Sequence, residues 1–371
     1  MIGAMLGPVF PLWILNVLHA SVSRVFFIMA IMGAGTLALN VFAGHLTDVF
    51  GKRKLLMEFT FVLAAIRGVF YTFFPYVWVV IGTSWLTQLS TGASIFSVLV
   101  DKIRANGDEE REGIITSTVR TSVSIGYMLG PWLGIGLVSL VSYRIFFLCY
   151  AMLYLMLAVA VRVVVKDTKR INRKVKEKIS IGRTIWMSGF TGLLIIFLFA
   201  GNLTGPSLLA LMLNKVTTKW MLAAAFGIGP LLEIIVIPLV GVLNDKIGTY
   251  RTLLLGAIGE ITYFSLLSTV KNPWAILGVQ ILGPFYTAVL FTSLMIYVQR
   301  LFVDRIGFSS SFYFGSISVS RVVGNFLLGS VLAGWGITSG FVLLAVLAVV
   351  GTGLLVAMEM GPRGPSKNYS L

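Results

Sequence analysis

The sequence predicts an all-α polytopic membrane protein with twelve transmembrane helices arranged as two six-helix bundles. Three features lead to this fold class: the composition, the recurrence of long apolar runs, and an internal repeat. Of the 371 residues, 57% are hydrophobic and only 12% are charged, and the mean hydropathy is +0.93. A soluble chain carries about 25% charged residues. The composition therefore excludes a soluble enzyme, a disordered tail and a secreted disulfide scaffold.

Apolar runs near the roughly 20 residues that a helix needs to cross a bilayer recur from end to end. Only helices satisfy so much backbone in lipid at this length, because barrel strands need about 10 residues with strict alternation, which is absent. The twelve predicted spans, numbered in chain order, cover residues 2–20, 22–43, 55–75, 76–100, 113–141, 144–165, 184–213, 219–240, 252–270, 273–299, 308–335 and 337–358.

A short basic stretch without apolar periodicity separates six spans from six. We therefore predict an N-terminal six-helix bundle over 1–165, a basic cytoplasmic linker over 166–183, a C-terminal bundle over 184–358 and a cytoplasmic tail over 359–371. The linker is interpreted as a solvated connection, with contact to anionic lipid headgroups as the alternative, since clustered Lys and Arg attract such lipids.

The positive charges predict the orientation. Of the 29 Lys and Arg residues, 21 lie in the linker, the tail and the connections on its side, five lie opposite, and Arg67, Arg120 and Arg321 lie within spans. Because cytoplasmic loops are enriched in Lys and Arg, both termini are expected in the cytoplasm of a multi-pass cell-membrane protein. The net charge of +15 is thus attributed to loops at an anionic lipid leaflet, not to nucleic-acid binding.

Several kinds of site have no signal in the sequence. The single cysteine, Cys149, lies inside an apolar run, and His19 and His45 have no metal-ligand spacing beside them. A phosphate-binding Walker loop and a nucleophile–base arrangement are also missing. We therefore expect no enzyme, catalytic residue, cofactor, metal or ATP-driven pump.

The chain contains an internal repeat. Segments 44–54 and 241–251 both read G-x-L-x-D-x-x-G with a basic end, at an offset of 197 residues, and the Gly-Pro pairs at 7–8 and 205–206 recur at 198. Two matches at nearly one offset indicate two similar halves in parallel orientation, a known transporter layout. The glycines permit a tight turn between helix ends. The residues of the two motifs are Gly44, Asp48, Gly51, Lys52, Arg53, Gly241, Asp245, Gly248 and Arg251.

The duplicated motif after spans 2 and 8, around a basic linker, resembles that of the major facilitator superfamily. Span 5 adds a G-x-x-x-G-P-x-x-G segment, formed by Gly126, Gly130, Pro131 and Gly134, which is similar to a helix-packing segment common among exporters of that superfamily. The resemblance implies two bundles that rock about a central cavity. Spans 1, 4, 7 and 10 would line the cavity, spans 2, 5, 8 and 11 would form the interface, and spans 3, 6, 9 and 12 would face lipid.

The function that this resemblance implies is secondary active transport of a small solute by alternating access, through a monomer in the lipid bilayer. Asp48 and Asp245 would act in the cytoplasmic gate. The span 5 segment favours export of a drug-like, amphipathic or sugar substrate. The alternative is uptake or facilitated diffusion of an anionic metabolite, bound through Arg321 and Arg120.

Polar side chains on the predicted cavity spans are candidate substrate contacts, although a lone amide in a span is as often a link between helices. Many proton-coupled exporters of the family carry an Arg in span 4, where this chain has Gln88, so proton antiport by the usual arrangement is not expected. The candidate cavity residues are Asn16, Gln88, Asn202, Gln280, Tyr286 and, near the midplane of span 11, Arg321.

Ionisable residues inside spans are costly and usually functional. Arg120 in span 5 and Glu233 in span 8 both lie some 10–12 Å from the cytoplasmic side at roughly 1.5 Å per residue. We hypothesise that they form an ion pair that closes this side and breaks on opening. The alternatives are that each pairs within its own half or contacts substrate. Arg67 and Glu260, on helices expected to face lipid, are interpreted as a structural pair or as snorkelling side chains.

The start of the chain is expected to be incomplete. About 21 residues precede Gly205 in span 7, whereas only six precede the equivalent Gly7 in span 1. A span this short is borderline for crossing a bilayer, so we expect the true start roughly 14 residues upstream.

Overall fold

The computed structural model describes residues 2–50, 53–88, 112–164, 181–302 and 306–360. These residues form helices joined by short connections, and no strand occurs among them. The predicted all-α fold is therefore confirmed.

Every predicted span overlaps a helix of the structure. Helices α1 to α9 correspond to spans 1 to 9, α10 to α12 together form span 10, and α13 contains spans 11 and 12. The helices are α1 (Ile2–Asn16), α2 (Val22–Phe50), α3 (Arg53–Phe73), α4 (Val77–Gln88), α5 (Glu112–Leu140), α6 (Tyr143–Val164), α7 (Ile181–Val216), α8 (Lys219–Ile247), α9 (Thr249–Thr269), α10 (Pro273–Val279), α11 (Gly283–Val289), a π-helical segment (Leu290–Leu294), α12 (Met295–Leu301) and α13 (Ile306–Met360).

Seven segments of the described residues are long and apolar enough to cross a membrane, and three shorter apolar helices accompany them. The last of the seven, Phe312–Met360, is too long for a single crossing and is broken at Gly336, whose φ of +80° lies in the region that favours glycine. We call its two parts the first and second limbs of α13. The chain is thus a multi-pass membrane protein.

Packing within the two halves follows matching patterns. In the first half α1 packs against α5, and α3 packs against α6; in the second half α7 and α9 each pack against α13. The predicted linker lies outside the described residues except for 181–183, which begin α7. The boundaries of the two bundles remain a prediction.

Among the described residues, the main helix pairs that join the halves are α5 with α8, α2 with α13 and, less extensively, α1 with α7. On the first pair, the indole of Trp132 lies directly on Gly227, where any larger residue would collide with it. On the second, Ser23 Oγ donates to the Gly329 carbonyl over 2.6 Å, and the rings of Phe27 and Phe326 meet edge to face. These contacts lie where α2 begins, at the end of the bundle predicted to be extracellular.

Candidate functional site

Span 10 has an irregular backbone on both sides of Tyr286. The chain leaves the helix between Val279 and Gly283, and it widens into the π-helical segment Leu290–Leu294, which begins four residues after Tyr286. Short π-helical segments occur frequently at functional sites, and irregular backbone inside a membrane is tolerated where it is buried in protein or lines a cavity. This region is therefore a candidate site.

Side-chain hydrogen bonds connect span 10 to its neighbours on both sides. Asn202 Nδ2 of α7 donates to Thr287 Oγ1 over 2.8 Å, and both residues are half-buried. The hydroxyl of Tyr263 in α9 donates to Gln280 Oε1 over 2.9 Å, deeper in the protein. Amide and hydroxyl groups from three spans thus converge around one segment.

Tyr286 lies between these two hydrogen bonds. Its side chain is buried, and its ring packs against those of Tyr263 and Phe264, with centroid separations of 5.2 and 6.0 Å. Aromatic rings next to a few convergent polar groups are typical of small-molecule sites. Three of the predicted cavity residues, Asn202, Gln280 and Tyr286, therefore lie together.

Glu260 of α9 lies on the inner side of this cluster. Its side chain is 0% exposed, and neither carboxyl oxygen has a hydrogen-bond partner among the described residues. The expectation that it snorkels to the surface or forms a structural pair is wrong. Because α9 packs against both α11 and α13, the face that carries Glu260 points into the second half rather than toward lipid.

Arg67 of α3 also differs from the expected ion pair or snorkelling, because within the described residues its partners are hydroxyl groups and not a carboxylate. Its Nη1 donates to Thr87 Oγ1 over 3.3 Å, its Nη2 donates to the hydroxyl of Tyr150, and the guanidinium lies 5.7 Å from the centre of the Tyr150 ring. Its Nε is buried and has no hydrogen-bond partner in the described part of the chain. These contacts link α3 to α4 and α6.

Arg321, the fourth predicted cavity residue that the structure describes, lies apart from this cluster. It is exposed on the first limb of α13 and interacts electrostatically with the hydroxyl of Tyr127 on α5, in the other half. One turn along, Asn325 is buried with no hydrogen-bond partner for either amide atom among the described residues. A cation thus lies where the two halves meet.

The two remaining cavity candidates are not part of the cluster. Asn16 is exposed at the end of α1, and its Nδ2 donates to the hydroxyl of Tyr143 at the start of α6 over 3.0 Å. It therefore links two helices of the first half. The side chain of Gln88 lies outside the described residues.

The second copy of the repeated motif forms the predicted tight turn. Gly248, with φ of +87°, lies between α8 and α9, and its N–H donates to the Asn244 carbonyl over 3.0 Å. Gly241 is half-buried, while Asp245 and Arg251 are exposed. The side chains of the first copy, Gly44, Asp48, Gly51, Lys52 and Arg53, lie outside the described residues.

The span 5 segment has its small residues on one buried face of α5. Gly126, Gly130, Pro131 and Gly134 are all buried, and a Cβ at Gly134 would lie 2.5 Å from the Met5 carbonyl of α1. This face lets α1 approach α5 closely.

The proposed gate pair, Arg120 with Glu233, stays a prediction. Glu233 is half-buried on α8, and α8 packs against α5, which carries Arg120. The side chain of Arg120 lies outside the described residues.

Sequence reasoning missed several members of the cluster. Tyr263 and Thr287 were not singled out, and Glu260 was assigned to the lipid face. A usable signal was present in α7, where Gly201 and Gly205 are spaced by one turn and so indicate the close approach of another helix. Among the described residues, no group of three or more His, Cys, Asp or Glu could hold a metal ion.

Comparison with known proteins identifies the family. The sequence profile of the Major Facilitator Superfamily matches residues 1–214, more than half of the chain. The chain belongs to the major facilitator superfamily. This membership agrees with the expectation of a transporter and not an enzyme.

One curated relative of this superfamily member is the Sugar efflux transporter A of Dickeya chrysanthemi, 28% identical over 118 residues. The match covers 32% of this chain and 30% of the relative, so the chain aligns with less than a third of that protein's length. Such a partial match leaves substrate and direction open.

The crystal structure of the nucleoside transporter NupG has the same fold. It superposes with a TM-score of 0.78 at 13% identity, covering 97% of this chain and 96% of that one. A mutant of NupG superposes with a TM-score of 0.76 at 12% identity, covering 96% of each chain. At this identity, the likeness establishes the fold alone.

Proposed function

We propose that the chain is a secondary transporter that exports a small, uncharged polar solute of the sugar-like or amphipathic kind by alternating access. It acts as a monomer in the cell membrane with both termini in the cytoplasm. The two six-helix bundles move against each other, and the repeated motifs with Asp48 and Asp245 gate the cytoplasmic side. The name of the sugar efflux relative supports this direction and substrate class.

The single observation that carries the proposal is the cluster around span 10. Asn202 and Thr287 are half-buried and hydrogen-bonded to each other across α7 and α11, in front of the buried ring of Tyr286. A hydroxylated solute replaces such a contact with its own donors and acceptors, while an aromatic ring covers its apolar face. The cluster has no cation among its described members, which favours an uncharged solute.

Transport of an anionic metabolite remains the second candidate because of Arg321. Its guanidinium interacts with the hydroxyl of Tyr127, and no carboxylate pairs with it in the described part of the chain. An unpaired guanidinium suits a carboxylate or phosphate group of a solute.

Counterflow in proteoliposomes tests the proposal. Vesicles preloaded with an unlabelled monosaccharide, disaccharide, nucleoside or monocarboxylate are diluted into the labelled form of the same compound. We expect transient accumulation of at least one of the uncharged solutes. Accumulation of the monocarboxylate alone would favour the second candidate, and no counterflow with any solute would contradict the transport proposal.

Thr287→Val sharpens this experiment. The substitution keeps the shape of the side chain but removes the acceptor of the Asn202 amide, so the half-saturation concentration should rise about 2- to 12-fold, the equivalent of one hydrogen bond. Thr262→Val is the matched control, because Thr262 is exposed on α9 and bonds only within its own helix. Equal effects of the two substitutions would remove the cluster from the solute site.

A further inference from the structure

The carboxyl group of Glu260 is the most unusual polar group in the second half. It is fully enclosed, yet neither oxygen accepts or donates a hydrogen bond within the described residues. Buried polar groups in proteins are nearly always hydrogen-bonded, and an unpaired charge away from water is far more costly than an unpaired neutral group. A group in this condition requires an explanation beyond stability.

The packing around Glu260 is built closely against it. On α7, Gly201 and Gly205 leave a flat strip, against which Glu260 and Phe264 of α9 pack. A Cβ at Gly201 would lie 2.7 Å from Glu260 Oε1, and a Cβ at Gly205 would lie 2.8 Å from the Phe264 ring. Because Gly201 and Gly205 have no side chains, the carboxyl group of Glu260 and the ring of Phe264 fit between α7 and α9 in the interior of the second half.

Glu260 is adjacent to the proposed solute cluster. One turn before it, Gly256 is in direct contact with Val289 of α11, which fixes α9 beside span 10. Glu260 interacts electrostatically with Tyr286, whose ring contacts Tyr263. The carboxyl group therefore lies directly behind the residues that we place at the solute.

The described residues around Glu260 provide no counter-charge. Tyr286 of α11 is the titratable group that faces Glu260 from a neighbouring helix, and Tyr263 lies one turn along on α9 itself. On α7 the facing residues are glycines, and the charged residues of α13 lie elsewhere: Arg321 interacts with Tyr127, and Glu359 accepts from Tyr297 over 3.4 Å. Within the described residues, no cation balances a carboxylate at position 260.

We propose that Glu260 is the proton-binding site through which transport is coupled to a proton gradient, an inference that rests on the proposed transport function. In the enclosed conformation described here the side chain is a neutral carboxylic acid. When the bundle opens and water reaches it, its O–H bond breaks heterolytically, the proton passes to water and the electron pair stays on the carboxylate. Without solute, the transporter returns across the membrane only when Glu260 is protonated, so each solute that moves one way is exchanged for a proton that moves the other way.

A proton suits this site better than a metal cation. Hard cations take several oxygen ligands at once, whereas among the described residues neither oxygen of Glu260 has a hydrogen-bond partner and no group of three or more His, Cys, Asp or Glu could hold a metal ion. One carboxyl group is sufficient to carry one proton. The proposed proton site lies on α9 and not on span 4, where Gln88 occupies the position at which many proton-coupled exporters of the superfamily carry an arginine.

The test compares two transport modes in the same proteoliposomes of the full chain. Counterflow needs no driving ion, whereas accumulation in vesicles made acidic inside requires exchange of protons for solute. With the labelled solute that gives the largest counterflow in the wild type, Glu260→Gln should keep counterflow within about twofold while losing at least about tenfold of the gradient-driven accumulation. Glu260→Asp should retain part of that accumulation.

Glu359→Gln is the matched control, because Glu359 is also a buried carboxyl of the second half but accepts a hydrogen bond. It should behave as the wild type in both modes. Three results would overturn the inference. They are gradient-driven accumulation that persists in Glu260→Gln, no such accumulation in the wild type, and accumulation that is driven by a sodium gradient instead.

Infrared difference spectroscopy supplies a readout that does not depend on transport. The carbonyl stretch of a protonated, enclosed carboxylic acid should be present in the wild type and in Glu359→Gln, and absent in Glu260→Gln. Its presence in Glu260→Gln would overturn the assignment even if that variant transports poorly. Failure of counterflow in the wild type would instead contradict the proposed function, so the two ideas fail separately.

Discussion

Each half carries an ionisable side chain away from the surface on its third helix, half-buried Arg67 on α3 and buried Glu260 on α9, and the two differ in their hydrogen-bond partners. With the repeat offset of 197 residues, the position in the second half that is equivalent to Arg67 is Phe264, which lies one turn from Glu260. Arg67 donates to Thr87 and Tyr150 on neighbouring helices. Glu260 has no partner among the described residues.

This difference separates a structural charge from a functional one. A buried charge that is held by hydrogen bonds ties helices together, and its loss leaves those partners unsatisfied. A buried carboxyl without partners contributes nothing of this kind and persists because it changes its protonation. Whether a buried ionisable side chain has hydrogen-bond partners, and not which helix carries it, therefore indicates its role.

The largest effect that the comparison predicts is on stability at Arg67. Arg67→Gln removes the donors to Thr87 and Tyr150, so the free energy of unfolding in detergent should fall by about 2–4 kcal/mol. Glu260→Gln should leave it unchanged or raise it. Denaturant titration of the purified variants measures both.

Arg24→Gln controls for loss of a positive charge, since Arg24 is exposed in the first turn of α2. If Arg67→Gln is no less stable than Arg24→Gln, Arg67 is not a structural charge. If Glu260→Gln is the less stable of the two buried variants, the contrast between the halves is reversed.

A smaller loss of stability is expected from substitutions at the α7 glycines that pack against Glu260 and Phe264. The added methyl of Gly201→Ala would overlap the Phe264 ring and approach Glu260 Oε1 to 2.7 Å, so it should destabilise the protein by about 1–3 kcal/mol. Gly229→Ala is the matched control, because nothing lies within 4 Å of a Cβ there. Thermal unfolding of the pair separates the collision from the general effect of Ala in a helix.

The smallest predicted loss of stability comes from removal of the Tyr263 hydroxyl, which forms a hydrogen bond between α9 and span 10. Tyr263→Phe leaves Gln280 Oε1 without its donor, at a cost of about 1 kcal/mol. The exposed Tyr76 provides the control Tyr76→Phe. The free energy of unfolding and the half-saturation concentration for solute should both change in Tyr263→Phe, and neither should change in Tyr76→Phe. An unchanged half-saturation concentration in Tyr263→Phe would place this hydrogen bond outside the solute site.

The sequence was sufficient for the fold because its main signals are local. Apolar length predicted where the helices lie, although α2 and α8 each continue seven residues beyond the predicted spans and the predicted end of span 4 lies outside the described residues. The glycines of the second motif predicted a turn that Gly248 forms with positive φ. The duplicated motif predicted the family, since it combines residue type, spacing and repetition. None of these signals requires knowledge of which side chains meet.

The site was only partly predictable, because partners come from distant segments. Asn202, Gln280 and Tyr286 were identified by residue type, but an amide at Asn16 carries the same signal and bonds to Tyr143 instead. The position of Glu260 was misjudged, since the span number alone suggested lipid. Burial and the lack of a hydrogen-bond partner are three-dimensional properties that no spacing rule contains.

The most direct test of the central claim records protons and solute in the same vesicles. Wild-type proteoliposomes that enclose a pH-sensitive dye are mixed with the solute that gave the largest counterflow. The account predicts that solute entry is accompanied by proton exit and a rise in internal pH, and that Glu260→Gln admits solute with no pH change. A pH change of equal size in Glu260→Gln, or none in the wild type, would contradict it.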